Sequence, residues 1–430
     1  MLIRFRVENH RSIYKEQELS FVAAPLAELP EKVVHTKQKD LALLRAVGIY
    51  GANASGKSTV LDALKFMQSA VLNSQRTWKP DGGVPRSPFL LDPEAVSKPS
   101  FFEVDFLLDG SRYTYGFAVD SNLVLEEWLY AYPQGRKQKW FTRGVLESPK
   151  FSFSRLLTGE NKSIQALTRD NSLFLSAAAQ NNHAMLSPIF QWFSNSLTFI
   201  NELNREFNLT TALTFLEPEY QSGILSIMQN SDLGITNIDI EEEEISDISK
   251  DTFKSLFIDM PDAMALINGS PLMKHVSLRH RTEVVGNDIT IPFKDESRGT
   301  QALFAVAGPI VETLSKGGLL SIDELDASLH PLMAVEIVKM FNDSKRNPHN
   351  AQLLFNTHDT NILECGDLRR DQIWFTEKDK NGATQLYPLT DYKARREENL
   401  KRGYLQGRYG AVPYIHTESL FTSKDDGEEV

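Results

Sequence analysis

Cysteine is nearly missing from this sequence: one residue in 430, Cys365. A single thiol excludes an internal disulfide and fits a reducing compartment, so a cytoplasmic setting is expected. Long apolar runs are missing too. Segments such as Ala302–Ala307 fall well short of the about 18–20 residues that a membrane-spanning helix needs, so no membrane partner is expected. Positive charge is not in excess. The net charge of −11 excludes a wholly basic surface and confines any nucleic-acid contact to a local patch. Met1-Leu2-Ile3-Arg4-Phe5-Arg6-Val7 alternates like a strand and lacks a secretory signal pattern. No internal repeat is present and no heptad is sustained, which argues against a long coiled coil. What remains is ordinary globular composition, 41% apolar and 24% charged, over a length that suits two or three core-forming units.

Against that background one stretch stands out, Gly51-Ala52-Asn53-Ala54-Ser55-Gly56-Lys57-Ser58. It has the complete spacing of a phosphate-binding P-loop. An apolar run, Ala46–Tyr50, precedes it, and the helical pattern Val60–Met67 follows, which is the strand–loop–helix setting the motif requires. The glycines let backbone N–H groups turn inward around phosphate oxygens, and the helix beginning there adds the positive end of its dipole. Lys57 is expected to reach the β- and γ-phosphates, and the Ser58 hydroxyl to ligate Mg²⁺. Thr59 completes the loop.

The flanking pattern is mixed. Short strands are expected over Met1–Glu8, Glu18–Ala23 and Ala46–Tyr50. After the P-loop helix, Pro80–Pro85 breaks the pattern. Alternating runs follow over Phe101–Leu108, Arg112–Val119, Leu123–Tyr130 and Lys139–Thr142, with Asp109-Gly110 as a hairpin turn. This predicts an antiparallel meander rather than a plain parallel βαβ series. From Phe151 to Met260 the pattern is mostly helical, with Glu241–Glu244 as a solvated acidic face. Strand character resumes at Lys274–Arg281 and Glu283–Phe293. The polar, acidic stretch Thr417–Val430 is expected to be disordered.

A second half of the site lies far downstream. Leu319-Leu320-Ser321-Ile322-Asp323-Glu324 is an apolar strand ending in two carboxylates, 266 residues from Lys57. Asp323 is placed to hold the Mg²⁺ shell, and Glu324 to polarise an attacking water as general base. A compact nucleotide core does not need such a gap, so a large insertion separates the halves. Leu325-Asp326-Ala327-Ser328-Leu329-His330-Pro331 follows at once. Gln352–Asn356 is a strand that delivers His358, and Glu296-Ser297-Arg298-Gly299-Thr300-Gln301 opens a largely apolar run.

In this order and at these distances, the segments resemble the head domains of the ATP-binding-cassette (ABC) superfamily. The soluble branch, with the SMC, Rad fifty and overcoming-lysogenization-defect ATPases, is the similar one. The resemblance covers the N-terminal strands, the P-loop and residues 297–360. It implies an α/β fold: an ABC-type P-loop head, with a mixed sheet plus an antiparallel β subdomain, carrying an inserted helical lobe. The corresponding division is 1–150 and 281–415 for the two halves of the head, 151–280 for the mainly helical insertion, and 416–430 for a disordered tail. ATP and Mg²⁺ are the implied cofactors. Gly51, Asn53, Ala54, Ser55, Gly56, Lys57, Ser58 and Thr59 are the implied nucleotide contacts. Ser297 and Gly299 would act in trans as the signature of a second copy in an ATP-dependent homodimer. Asp326 would belong to the dimer-interface D-loop, and His358 would sense the γ-phosphate. Arg298 departs from the usual Leu-Ser-Gly-Gly signature, and either faces that phosphate or pairs with a carboxylate. Gln180 is the implied Q-loop metal contact, or else a helix cap. Arg11 is the implied contact on the α-phosphate side, or else a surface arginine.

Leu-Asp-Ala-Ser-Leu-His-Pro and Asn-Thr-His-Asp look most similar to stand-alone prokaryotic ATPases of the abortive-infection, RloA-like type, encoded beside toprim-type nucleases in phage-defence loci. That implies a regulatory ATPase acting on a separate effector protein. The alternative is a DNA-engaging repair or maintenance ATPase of the SMC and Rad-fifty class. The segment Asp391–Gly410 is basic with interleaved aromatics. It reads either as a nucleic-acid patch or as a solvated helix with internal ion pairs.

Overall fold

The computed structural model describes residues 1–200, 205–231, 233–244, 272–282, 288–392 and 398–412. Within them the fold is mixed α/β and divides into two compact units. One contains Leu2–Ser194 and the chain from Phe355 onward; the other contains Asn195–Leu354 and Met1.

The first unit opens with β1 (Leu2–Glu8) and β2 (Gln17–Ser20), then a small antiparallel pair, β3 (Val33–His35) and β4 (Ala42–Leu44). Next, β5 (Ala46–Gly51) is buried at every position, which is why its sequence is a continuous apolar run rather than an alternating one. Helix α1 (Lys57–Asn73) begins where β5 and the loop end, and buries Val60, Leu61, Ala63, Leu64 and Met67 along one face. The short helix α2 (Pro93–Ser97) is capped by Asp92, whose side chain accepts from the Glu94 N–H.

The meander is built as its alternation predicts. Strands β6 (Ser100–Leu108), β7 (Ser111–Val119), β8 (Val124–Tyr132), β9 (Gln138–Gly144) and β10 (Phe151–Phe153) join β1 and β2 in a seven-stranded antiparallel sheet. Its order is β10-β9-β8-β7-β6-β1-β2. Asp109 and Gly110 both take positive φ (49° and 77°) between β6 and β7, matching a two-residue turn of the type that follows strand twist. Helices α3 (Asn161–Leu167), α4 (Phe174–Gln180) and α5 (Ser187–Asn195) follow.

A charged cluster sits inside this unit. Glu127 on β8 is fully buried and accepts from the Tyr115 hydroxyl (3.0 Å) and from the backbone N–H groups of Phe174 (2.7 Å) and Leu175 (3.0 Å). It therefore satisfies two orphan donors at the start of α4. Arg143, equally buried, lies 3.8 Å from Glu127 and donates to the carbonyls of Arg169, Asp170 and Ser172. Burial pushes the Glu127 carboxyl up and the Arg143 guanidinium down from their ordinary ranges, each opposed by the other's charge.

In the second unit β11 (Leu197–Ile200) pairs in parallel with β15 (Leu319–Ile322). Helices α6 (Arg205–Leu216) and α7 (Pro218–Gln229) lead to an antiparallel sheet of β12 (Ile235–Glu244), β13 (Leu272–His280) and β14 (Ile289–Pro292). Helix α8 (Arg298–Lys316) carries Pro309 in its interior, which frees the carbonyl of Ala305. The Thr211 hydroxyl of α6 donates to that carbonyl (3.1 Å) and accepts from the Gly308 N–H (3.2 Å). Gly308 permits the approach: a Cβ there would stand 2.6 Å from the Thr211 hydroxyl oxygen. Helix α9 (Pro331–Asn342) and β16 (Gln352–Asn356) complete this stretch.

The chain then returns to the first unit as α10 (Asn361–Glu364), β17 (Ile373–Lys378), β18 (Thr384–Pro388) and α11 (Leu400–Leu405). β17 lies parallel to β5 and antiparallel to β18.

The stretch from Phe151 to Met260, expected to be mostly helical, also contains β10, β11 and the ten-residue β12. The run Glu241–Glu244 is part of β12, paired with Leu272–His275. A ladder partner thus outweighs the poor strand propensity of glutamate. Residues 417–430, expected to be disordered, lie outside the described residues.

Candidate nucleotide site

The P-loop leaves β5 at Gly51 and enters α1 at Lys57. Ala54 (φ 61°) and Gly56 (φ 107°) take left-handed backbone, which turns the loop back on itself. Gly56 cannot be replaced without movement, since a Cβ would lie 2.1 Å from the Thr384 hydroxyl oxygen. Gly51 is equally confined, 2.5 Å from the Thr376 carbonyl. Lys57 is buried and folds over the loop, its Nζ donating to the carbonyls of Gly51 (3.0 Å) and Ala52 (3.1 Å). Asn53, Ala54 and Ser58 are exposed.

Residues distant in sequence brace this loop. The Ser55 hydroxyl meets that of Thr376 at 2.7 Å, and the Thr384 hydroxyl donates to the Ser55 carbonyl at 2.9 Å. Ser12 lies between loop and sheet, its hydroxyl 3.0 Å from that of Thr59 and 2.8 Å from that of Thr384. Asn356, fully buried at the end of β16, reaches the Ser58 hydroxyl at 3.5 Å. The backbone N–H of the next residue, Thr357, donates to the Ile49 carbonyl, and His358 stands exposed just beyond. None of Ser12, Thr376, Thr384 and Asn356 was singled out from the sequence. Thr376 and Thr384 carry no local signal, since only the pairing of β17 with β5 brings them here. Ser12 and Asn356 were closer to legible, being adjacent to Arg11 and two residues before His358.

Arg11 sits at positive φ (47°) in the turn between β1 and β2, and its Nε pairs with Asp62 Oδ2 of α1 at 2.8 Å. The buried His10 donates from Nε2 to the same oxygen, also at 2.8 Å. Arg11 is therefore beside the P-loop helix, one residue from Ser12. Gln180 is the exposed last residue of α4.

The other expected residues belong to the second unit. Ser297 is the N-cap of α8, its hydroxyl accepting from the Thr300 N–H at 3.1 Å, so its sequence position also serves the helix itself. A Cβ on Gly299 would lie 3.5 Å from the Ser328 carbonyl, so this glycine faces the segment after Glu324. Asp323 directly follows β15, and its N–H donates to the Ile200 carbonyl at 2.8 Å. Glu324 is exposed and holds φ at 55°. A non-glycine residue in left-handed backbone at the end of a buried strand is a strained position of the kind that clusters at functional sites. Asp326 is partly buried in the turn that follows.

In the basic segment near the C-terminus, residues 393–397 lie outside the described residues, and two of the described cations are in ion pairs. Lys401 pairs with Glu364 at 2.7 Å, and Arg408 pairs with Glu398. Tyr404 and Tyr409 are buried against Phe375, with ring centroids 5.5 and 5.8 Å away, so neither offers a free face for a base. Among the described residues, no helix is long and apolar enough to cross a membrane and no cluster of His, Cys, Asp and Glu has metal-holding form.

Comparison with known proteins adds the following. Three solved structures are similar at low identity. The SMC head bound to the C-terminal winged-helix domain of ScpA is 14% identical over 90% of this chain and 97% of its own, with a TM-score of 0.45. The SMC head domain from Thermotoga maritima is 14% identical over 90% and 98%, with a TM-score of 0.40. An SMC head with an extended coiled coil, bound to a ScpA C-terminal domain from Pyrococcus furiosus, is 11% identical over 90% and 96%, with a TM-score of 0.41. No curated protein matches. Residues 46–364, from β5 through the P-loop to Glu364, match the family described as "AAA domain, putative AbiEii toxin, Type IV TA system". The chain belongs to that family of AAA-domain proteins.

Proposed function

We propose that this chain is an ABC-type ATPase that binds and hydrolyses ATP, and that its nucleotide-gated homodimer controls a separate effector in prokaryotic defence. The observation that carries the reading is the form of the P-loop. Two glycines are confined so tightly that no side chain fits, Lys57 is buried over the loop, and the phosphate-facing side is left open. Backbone N–H groups in that arrangement take phosphate oxygens, and Lys57 is within one side chain's swing of the β- and γ-phosphates. Bound Mg²⁺, held by Ser58 and Asp323 with Gln180, would supply charge neutralisation between the two terminal phosphates. Glu324 acts as the base that orients and deprotonates water, His358 senses the γ-phosphate, and Ser297 and Gly299 of a second copy close over it. Arg11 serves the α-phosphate side.

The family's description, which includes a toxin–antitoxin system, supports a regulatory rather than a metabolic role. Dimer closure biases such an effector only by the difference in its affinity for the open and closed forms. A toprim-type nuclease is the effector class the sequence resemblance favours.

The test is the solution mass of Glu324→Gln by light scattering, with and without Mg·ATP. Doubling on ATP that Ser297→Arg abolishes supports the closed dimer. Turnover by Glu324→Gln equal to that of the unaltered protein would remove Glu324 as base. Retained tight ATP binding by Lys57→Ala would remove the P-loop assignment.

A further inference from the structure

Behind the P-loop, and wholly within the first unit, residues 398–412 pack on the two strands that carry the loop and its brace. Tyr50 and Phe375 are register partners on the parallel strands β5 and β17, and so are the residues that follow them, Gly51 and Thr376. Side chains alternate between the faces of a strand. Thr376 therefore reaches the loop at Ser55, while Phe375 and Tyr50 turn to the opposite face. There the buried Tyr404 of α11 meets both rings, stacked on Phe375 at 5.5 Å and edge-on to Tyr50 at 6.2 Å. Tyr409 stacks on Phe375 as well, at 5.8 Å. This aromatic contact is one residue away from the first glycine of the loop and one residue away from the threonine that braces it.

Polar contacts hold the segment in place. The Tyr387 hydroxyl donates to the Tyr409 carbonyl at 3.0 Å, and the Ala411 N–H donates to Glu377 Oε2 at 3.3 Å. The Tyr404 hydroxyl donates to the Ala411 carbonyl at 3.2 Å, closing the segment on itself. Lys401 reaches α10, donating to Asn361 Oδ1 at 3.0 Å and Glu364 Oε2 at 2.7 Å. Gly410 takes φ 65°, and a Cβ there would stand 2.6 Å from Glu377 Oε2 and 2.7 Å from the Tyr387 hydroxyl oxygen. With only six residues, α11 is too short to keep its form without the strands beneath it. Docking of the segment is thus an equilibrium of its own, separate from unfolding of the whole unit.

We propose that residues 398–412 are a clamp that sets the phosphate-binding form of the P-loop from behind, with Tyr404 as its positioning residue. The inference rests on the P-loop reading above and adds how that site is controlled. Close-packed interiors transmit small shifts rather than absorb them. Gly51 has no slack against β17, since a Cβ on it would stand 2.5 Å from the Thr376 carbonyl, and Ser55 meets the Thr376 hydroxyl at 2.7 Å. Undocking Tyr404 uncovers Tyr50 and Phe375 together, and any movement of β17 against β5 is then delivered to Gly51 and Ser55. A nucleotide that favours the braced loop therefore favours the docked clamp, and by linkage the clamp raises nucleotide affinity by the same factor.

The experiment measures hydrogen exchange of the 398–412 amides in the full chain with and without Mg·ATP. It also measures binding of ATP and inorganic tripolyphosphate to Tyr404→Ser, Tyr404→Phe and Gly410→Val. ATP should slow exchange in the clamp about tenfold more than in β8 and β9, which serve as the control for general stabilisation. Tyr404→Ser and Gly410→Val should weaken ATP and tripolyphosphate alike by about the same factor, whereas Tyr404→Phe, which keeps the ring, should bind within about twofold of the unaltered protein. Clamp amides that respond to ATP no more than those of β8 and β9 would overturn the proposal without recourse to any variant, so a failure of Tyr404→Ser to fold does not blunt the test. ATP binding by Gly410→Val equal to that of the unaltered protein would overturn it too, as would Tyr404→Phe binding as weakly as Tyr404→Ser. If neither ATP nor tripolyphosphate binds the unaltered protein, the P-loop reading falls, and this inference with it.

Discussion

Glu127→Leu should cost this protein about 3–5 kcal/mol of stability. The replacement is close in volume, so the loss is not a cavity effect. It strips the buried Arg143 of the carboxylate 3.8 Å away and leaves the Tyr115 hydroxyl and the Phe174 and Leu175 N–H groups without that acceptor. Each orphaned donor alone costs about 1–3 kcal/mol, and the losses overlap because one carboxylate serves them all. Burial penalises both charges of the pair, so removing one partner is expensive while removing both is far less so. Adding Arg143→Met to Glu127→Leu should therefore recover part of the loss, a coupling of at least about 1 kcal/mol. The assay follows from where the tryptophans lie. All five, Trp78, Trp128, Trp140, Trp192 and Trp374, belong to the first unit, so urea unfolding followed by tryptophan fluorescence reports the unit that holds Glu127. A loss below about 1 kcal/mol, or strictly additive effects in the double variant, would refute the argument.

Two further outcomes follow from other elements. Thr211→Val keeps the shape but orphans the Ala305 carbonyl that Pro309 frees, and should lower the second unit's stability by about 1–3 kcal/mol; hydrogen exchange of the α8 amides checks it, and unchanged protection refutes it. His183 is buried, with Nδ1 accepting from the Leu186 N–H and Nε2 facing the Asn161 side-chain Oδ1, and burial lowers its pKa from 6.5. Its neutral form is the one the fold favours, so its stabilisation is present above the ordinary histidine pKa and is lost as pH falls through the lowered value. His183→Asn should flatten that acid loss in thermal melts between neutral and mildly acidic pH; an identical slope in the variant would refute the assignment.

How much of this was readable in advance depends on whether the deciding contacts are local. The P-loop, the Asp109-Gly110 turn and the β15 strand that runs up to Asp323 are set by contiguous residues, and each has the form its pattern predicts. β11 and β12 were not legible. A four-residue strand carries too little periodicity, and β12 ends in four glutamates whose pairing with β13 no local preference anticipates. The same holds at the site. Gly56, Lys57 and Ser58 announce themselves, but the hydroxyls of Thr376 and Thr384 that brace the loop come from strands near the other end of the chain. Arg11 could be placed near the nucleotide by resemblance, whereas its hold on Asp62 depends on a turn at positive φ that the sequence does not signal.

The pairing of β5 with β17 has a consequence during synthesis. Gly48 and Ile373 are register partners, yet they are 325 residues apart. At about 5–20 residues per second, the strand leading into the P-loop leaves the ribosome roughly 16–65 s before its neighbour exists. Throughout that interval a fully apolar strand and its helix lack the sheet that later covers them, while the intervening residues 195–354 are being made and can collapse on their own. The nucleotide loop is thus encoded early and finished last. A chain released before β17 would carry the whole P-loop motif without Thr376 and Thr384, the two hydroxyls that hold it in shape. Truncated products should therefore depend on chaperones to stay in solution.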